Sequence, residues 1–496
     1  MGLDIGTSGC KCTWLDENGA VLAAASSTYA VSRSQESYCE LNPSEVWSAV
    51  KSTIATVLKR PTSVPVKAIS ISSFGEAVIP VGVDGRVLDS SILYTDIRGQ
   101  AEAEFLCNQL GAERMMELTG LPVHPMYSIT KMMWIKRHRP GLYRRTAKFM
   151  QFGDYIAYQL TGLACIDYSL ASRTMAFNIR SKAWEPSILA AADIDANLLS
   201  KPVSSGDIIG TVHREASEET GLPAGTLVVA GGHDQACAAL GAGVIREGQA
   251  IDGIGSVECI TPAYKRPVLS ADMLKYRYNC APHLFSGMYL SYAFNFTGGS
   301  LLQWYKDGFG KAEAIEAERK GISPFEHLND RAADVPTDLL VIPHFAGSGT
   351  PTMNPAAKGV IHGLTLSTEP KHIYRALMEG INYDMLYNLE CLNCTGIRVD
   401  TLRAVGGGAR SALWMQMKAD IMNRQVETLH VSEAGTLGVA IQAGVAAGIY
   451  RSVEEAVRQL VQVKETFYPD PERAAIYAGH YERYKELMSL FQNKSV

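Results

Sequence analysis

Basic runs are missing from this sequence. No stretch of Lys and Arg exceeds a pair such as Arg144-Arg145, and 46 Lys+Arg against 51 Asp+Glu leave a formal charge of −5. That balance lacks the electrostatic footprint of a nucleic-acid binder. Long apolar runs are missing too. The longest, around Ala236–Val244 and Leu437–Ile449, are rich in Gly and Ala and fall short of the roughly 20 residues that span a bilayer. No basic segment followed by an apolar one opens the chain. Cysteine is sparse: ten in 496 residues are too dilute for a disulfide scaffold. The expectation is a cytoplasmic protein with reduced thiols and neither membrane nor nucleic-acid partners. Cys391 and Cys394 have half the spacing of a zinc knuckle without a second pair, so thiols near a helix end are the plainer reading. Neither His-Glu-x-x-His nor Gly-x-x-x-x-Gly-Lys-Ser/Thr occurs, which excludes the zincins and the P-loop proteins.

What is present is ordinary globular material, 47% apolar and 20% charged. At about 150 residues per domain, the length allows two to four domains. Met1–Ile5, Lys11–Leu15 and Val21–Tyr29 read as a three-strand meander around the turns Gly6–Gly9 and Asp16–Gly19. Asn42-Pro43 opens a helix with Val46, Trp47, Val50, Ile54 and Leu58 on one face. Val66–Ser72 reads as a buried strand, and Val78–Val81 with Val87–Leu93 reads as a hairpin around Asp84-Gly85. Residues 100–199 are mostly helical in pattern. Later segments predict helices over Pro370–Leu392, Leu413–Met422, Ser432–Ile449 and Pro471–Phe491, with a strand at Leu402–Val405. One echo organises the whole. Asp4-Ile-Gly-Thr-Ser8 returns as Asp252-Gly-Ile-Gly-Ser256, 248 residues later and half of the chain length. Each copy precedes a strand-like run, as a duplicated domain would produce; a chance recurrence of Gly-Ser/Thr competes with it.

The chemistry gathers at glycine turns. A glycine turn between strands can aim several N–H groups at one point. The Thr7 and Ser8 hydroxyls and the Lys11 cation add donors suited to phosphate. Asp4 beside them makes sense if a divalent ion lies between, since Mg²⁺ takes one or two carboxylates and fills its shell with water and phosphate oxygens. The alternative is a plain turn capped by Asp4. Gly255-Ser256 is a second such turn, and Gly406–Gly408 at a strand end suits a flat, closely approaching ligand or is simply a loop before a helix. Asp234 follows Gly231-Gly232 at the junction of a strand and a helix. It could cap the helix, or accept a proton from a substrate hydroxyl.

Together these residues resemble the FGGY family of carbohydrate kinases. The likeness is carried by Asp4–Ser8 with Lys11, Tyr94–Arg98, Gly232–Gln235, Gly255-Ser256 with Glu258, Gly359–Leu364 with His372 and Glu379, and Gly406–Ser411 with Trp414 and Asp420, in family order. The resemblance implies an α/β chain of two actin-like (ribonuclease H-like) domains with a cleft between them. Residues 1–247 would bind sugar and residues 248–496 would bind ATP. It further implies Asp234 as general base and Asp4 as the Mg²⁺ carboxylate. Gly6, Thr7, Ser8, Gly255 and Ser256 would hold phosphates, with Gly298, Gly299, Gly407, Gly408 and Ser411 at the nucleoside. Gly75, Glu76, Asp96, Arg98 and Gln235 would surround the sugar.

Departures narrow the substrate. Family members usually carry several more residues ahead of the first strand, so a shortened N-terminus is expected. A glycerol-kinase-like Arg-Glu pair becomes Gly75-Glu76, and a xylulokinase-like Gln-Met-His-Gly run becomes Phe74–Ala77. The resulting expectation is ATP-dependent phosphorylation of a four- or five-carbon ketose or alditol, xylulose first. The acidic lining disfavours gluconate, and the arginine lost at Gly75 leaves room for a chain longer than glycerol. Gluconokinase, a tetrose or pentitol kinase, and a non-catalytic sugar–nucleotide sensor are the alternatives, with a homodimer left open.

Overall fold

The computed structural model describes residues 1–33, 38–60, 64–431 and 433–492. The meander forms as expected: Gly2–Ile5, Gly9–Leu15 and Val21–Thr28 are antiparallel neighbours. Gly2–Ile5 then pairs in parallel with Ala68–Ser73, all six of whose residues are buried. That strand pairs in parallel with Leu227–His233, and Ile208–Thr211 closes the sheet antiparallel. The second sheet repeats this plan. Gly248–Ile254 pairs antiparallel with Glu258–Tyr264, which carries Tyr289–Leu290 and Ala293–Asn295 at its far edge. On its other side it pairs in parallel with Val399–Val405, then come Gln425–Leu429 in parallel and Val463–Phe467 antiparallel. Both sheets thus have the same succession of strand directions, and Asp4 and Asp252 occupy the same strand of each. The echo is a structural duplication, and the molecule has the two-domain α/β architecture anticipated.

Helix signals were local and legible. The Asn42 side chain accepts from the Ser44 N–H at 3.0 Å, and Pro43 stands first in the helix Pro43–Leu58. Asp84-Gly85 was less informative. Ile79–Val81 finds its ladder with Lys148–Met150, and Ser91–Ile92 pairs with Cys39–Leu41. Only single bridges, Val81–Val87 and Val78–Ile92, remain of the hairpin. A tight turn fixes its own residues, while longer-range partners win the strands. The helix expected from Ser432 runs Ala434–Ala446, and Ser432 itself lies outside the described residues. Cys391 and Cys394 close the helix Pro370–Cys394, and all ten cysteines are free.

The two Gly/Ala-rich runs are helices that cross where the sheets meet. Asp234–Gly241 packs on Ala434–Ala446 so closely that a Cβ on Gly241 would overlap the Ala434 carbonyl, and one on Gly438 the Cys237 carbonyl. Gly2 in turn touches the Thr436 carbonyl. Backbone therefore meets backbone, which only glycine permits. The packing brings the end of the strand carrying Asp4 beside Gly435 at the start of the helix Ala434–Ala446.

Candidate active site

The sequence-marked acid–base residue sits at a junction. Leu227–His233 ends under Ser169, whose Oγ accepts from the His233 N–H at 2.8 Å, and Asp234 begins the helix that follows. Burial pushes the Asp234 carboxyl up to about 7, helped by the negative charges of Asp4 and Glu76 and opposed by the Gln235 N–H and the Arg173 cation. A carboxyl poised there is matched to proton transfer near neutrality. Its neighbour His233 is held neutral by burial and by Arg173. The His233 ring stacks on Tyr292 with centroids 5.5 Å apart, and the Tyr292 hydroxyl lies 3.2 Å from Nδ1. Tyr292 belongs to the second half of the chain, so both halves build this corner.

Asp4 is held by the Ser72 hydroxyl at 2.5 Å, a consequence of the parallel register that sets Asp4 opposite Ser72. Burial raises its pKa, and Glu433 adds to that while Lys11 opposes it. Lys11 itself pairs with Glu433 at 2.5 Å. The pair joins the first hairpin to the start of the helix Ala434–Ala446, and no motif had marked Glu433. Gly435 leaves the space beside the carboxylate open; a Cβ there would come to 3.6 Å from Asp4 Oδ1. This donor set fits magnesium: hard oxygens from Asp4, within the field of Glu433 and Asp234. Among the described residues no cluster of three His, Cys, Asp or Glu side chains is placed to hold a metal ion.

The duplicate of Asp4 has a different fate. Asp252 is wholly buried, with its carboxylate and that of Glu258 both within 2.9 Å of the Lys418 ammonium. Burial pushes both carboxyls up, and Lys418 pulls them back. One copy of the strand thus sets its carboxylate beside Ser72 and Gly435, and the other anchors a core.

Around the glycine turns the structure refines the expectations. The Gly6 N–H is engaged with the Gly9 carbonyl at 2.9 Å, and Tyr29 donates to the Gly6 carbonyl, leaving Thr7 and Ser8 at the tip. Gly255 repeats the closure onto Val257 at 2.9 Å. Gly298 and Gly299 donate to the Ser256 and Gly255 carbonyls at 2.9 and 2.8 Å, and a Cβ on either would press on that turn. They brace the second phosphate-type turn, and their N–H groups are not free for a nucleoside. Ser411 is likewise engaged: its Oγ accepts from the Trp414 N–H at 3.1 Å and caps the helix Ala412–Met422. Gly408 packs on Ile254, whereas Gly407 faces open space.

The sugar-side expectations change most. Asp96 and Arg98 are buried and paired with each other; Arg98 also bridges Glu40 at 2.8 Å, and Asp96 accepts the Cys39 N–H at 2.6 Å. They clamp the Tyr94–Arg98 loop rather than present free groups. Tyr94 is the member of that loop near the site, since Asp234 and Glu76 both raise its hydroxyl pKa beyond the effect of burial. The space expected beside Gly75 is filled. A Cβ there would meet Arg173 Cγ at 2.9 Å and His233 Cδ2 at 3.0 Å. Arg173 forms a buried ion pair with Glu76, so the guanidinium missing at position 75 returns from elsewhere in the chain, and the lining is not simply acidic. Lys131, fully buried, donates to the Glu76 carbonyl at 3.0 Å and also to that of Met126. Burial lowers its pKa to about 7.

Comparison with known proteins now decides the family. Residues 1–241 match the N-terminal domain model of the FGGY family of carbohydrate kinases, and residues 255–447 match its C-terminal domain model. The chain belongs to the FGGY family of carbohydrate kinases. It is 30% identical to a xylulose kinase of Bacillus subtilis (strain 168), over 99% of this chain and 96% of the relative. It is 31% identical to a gluconokinase of the same organism, over 100% and 95%. Among solved structures, a xylulose kinase from Rhodospirillum rubrum superposes with a TM-score of 0.87 at 27% identity, covering 99% of this chain and 98% of that one. A gluconate kinase from Lactobacillus acidophilus has a TM-score of 0.89 at 24% identity, covering 99% and 97%, and speaks for the fold. As an FGGY sugar kinase the protein is an enzyme that phosphorylates a small-molecule sugar and uses ATP. No described helix is long and apolar enough to cross a membrane.

Proposed function

We propose that this kinase transfers the γ-phosphoryl group of ATP to a hydroxyl of a four- or five-carbon ketose or alditol, xylulose first. In this reading the division falls at residues 247/248, with sugar on the first domain and ATP mainly on the second. The observation that carries it is Asp234, with a pKa raised to about 7 at the junction of strand and helix. Asp234 takes the proton of the acceptor hydroxyl as its oxygen attacks the γ-phosphorus, and ADP leaves. Thr7, Ser8 and Ser256 at the two turn tips, with Lys11, hold the phosphates, and Gly407 faces the nucleoside. Asp4 would hold Mg²⁺, which when bound offsets the phosphate charge. Relatives named xylulose kinase support the substrate order. A second reading, gluconate, is favoured by the gluconokinase relatives and by the Arg173 cation beside Glu76. Sugar-dependent ADP release across xylulose, ribulose, erythritol, gluconate and glycerol separates them. The expected order puts xylulose first in kcat/KM. A tenfold preference for gluconate, about 1.4 kcal/mol of transition-state binding, would replace it, and ADP release without sugar would refute the kinase reading of the site.

A further inference from the structure

Arg173 is 5% exposed, and its Nη1 has no hydrogen-bond partner among the described residues. A buried guanidinium donor left unpaired is costly and uncommon. Its other nitrogens hold Glu76, and its guanidinium carbon lies 5.2 and 5.4 Å from the ring centroids of Tyr127 and Tyr292. The side chain is set there by a cap: Asp167 accepts from the Ser169 and Leu170 N–H groups and starts the short helix that delivers Arg173. Glu76 is equally constrained. It holds a left-handed φ of 64°, its N–H donates to Gln151 Oε1 at 2.9 Å, and Lys131 holds its carbonyl. Backbone held in that region by several partners marks positions where geometry matters to function.

We propose that Arg173 binds the sugar directly, with Nη1 donating to a substrate oxygen next to the hydroxyl received by Glu76. Gly75 is the condition for this arrangement, because any Cβ there would push on Arg173 Cβ and Cγ. A donor and an acceptor locked side by side suit an α-hydroxyketone or a vicinal diol. The carbonyl or first oxygen faces Nη1, and the neighbouring hydroxyl faces Glu76. The inference rests on the sugar-kinase reading of this site.

The test uses steady-state kinetics of the full-length enzyme with xylulose, ribulose and gluconate and with monodeoxy derivatives of the preferred sugar. Arg173→Lys keeps the charge and loses the fork. It should lower kcat/KM for the sugar roughly 10- to 100-fold, mostly through KM, while KM for ATP stays within about twofold. Gly75→Ala, which leaves both charged residues in place, should reproduce the direction. One monodeoxy derivative should be insensitive to Arg173→Lys, because the oxygen that Nη1 meets is already gone. If Arg173→Lys lowers kcat/KM equally for every derivative, Arg173 only supports Glu76 and the proposal is overturned. Unchanged sugar KM in both variants overturns it as well. Should the wild-type enzyme phosphorylate none of these sugars, the functional reading itself fails, an outcome distinct from either.

Discussion

Lys418→Met removes the cation that bridges Asp252 and Glu258, all three side chains having no exposed surface. Breaking a buried ion pair by deleting one partner costs about 3–5 kcal/mol, because the remaining charge is uncompensated. Here both carboxyls are already raised by burial, so the variant answers by keeping them protonated. In the unfolded chain they ionise near pH 4. Above that the folded variant binds more protons than the unfolded one, so its stability falls as pH rises, by at most about 1.4 kcal/mol per pH unit for each group that stays protonated. Urea unfolding of wild type and variant at pH 5, 6.5 and 8 measures it. Burial raises both carboxyls in the wild type as well, so both proteins should lose stability as pH rises, and the variant's deficit should be about 3–5 kcal/mol. A deficit under about 1 kcal/mol would show that Lys418 does not hold the pair. The assignment of Asp252 to a core-anchoring role would then fail.

Asp4→Ala should abolish nearly all Mg²⁺-dependent phosphoryl transfer while shifting the melting temperature little, since one hydrogen bond to Ser72 is worth about 1 kcal/mol; ADP-release rates over a Mg²⁺ titration alongside thermal melts check both. Gly438→Ala places a methyl group against the Cys237 carbonyl and should cost at least about 1–3 kcal/mol through separation of the two helices, read from urea unfolding.

Much of the fold was legible because its signals are local. Asn42-Pro43 caps its own helix, and the glycine turns at Gly6 and Gly255 sit between short strands, so the echo of Asp4 in Asp252 translated directly into matching sheets. Asp234 was a candidate because Gly231-Gly232-His233-Asp234 at a strand end is visible in sequence. Arg173 was not, because it meets Glu76 across 97 residues, through a helix whose placement depends on the whole first domain. Glu433 and Tyr292 were missed for the same reason: each reaches the site from the other half. Gly298, Gly299 and Ser411 were marked as nucleoside contacts by the family resemblance. Residue type does not tell whether an N–H or hydroxyl is already engaged by its neighbours. The Gly/Ala richness near Gly241 and Gly438 was plain, but that it serves a backbone-to-backbone crossing emerged only from the packed helices.

The central claim, that Asp234 is the base of a sugar kinase, is tested most directly by the pH dependence of kcat/KM for the preferred sugar in wild type and Asp234→Asn. Because the raised carboxyl must be ionised to accept a proton, wild-type kcat/KM should climb with pH through about 7 and level above it. Asp234→Asn should lose that limb and at least about 10²-fold in kcat, with ATP affinity nearly intact. Near-wild-type turnover in Asp234→Asn, or an unaltered acidic limb, would contradict the account.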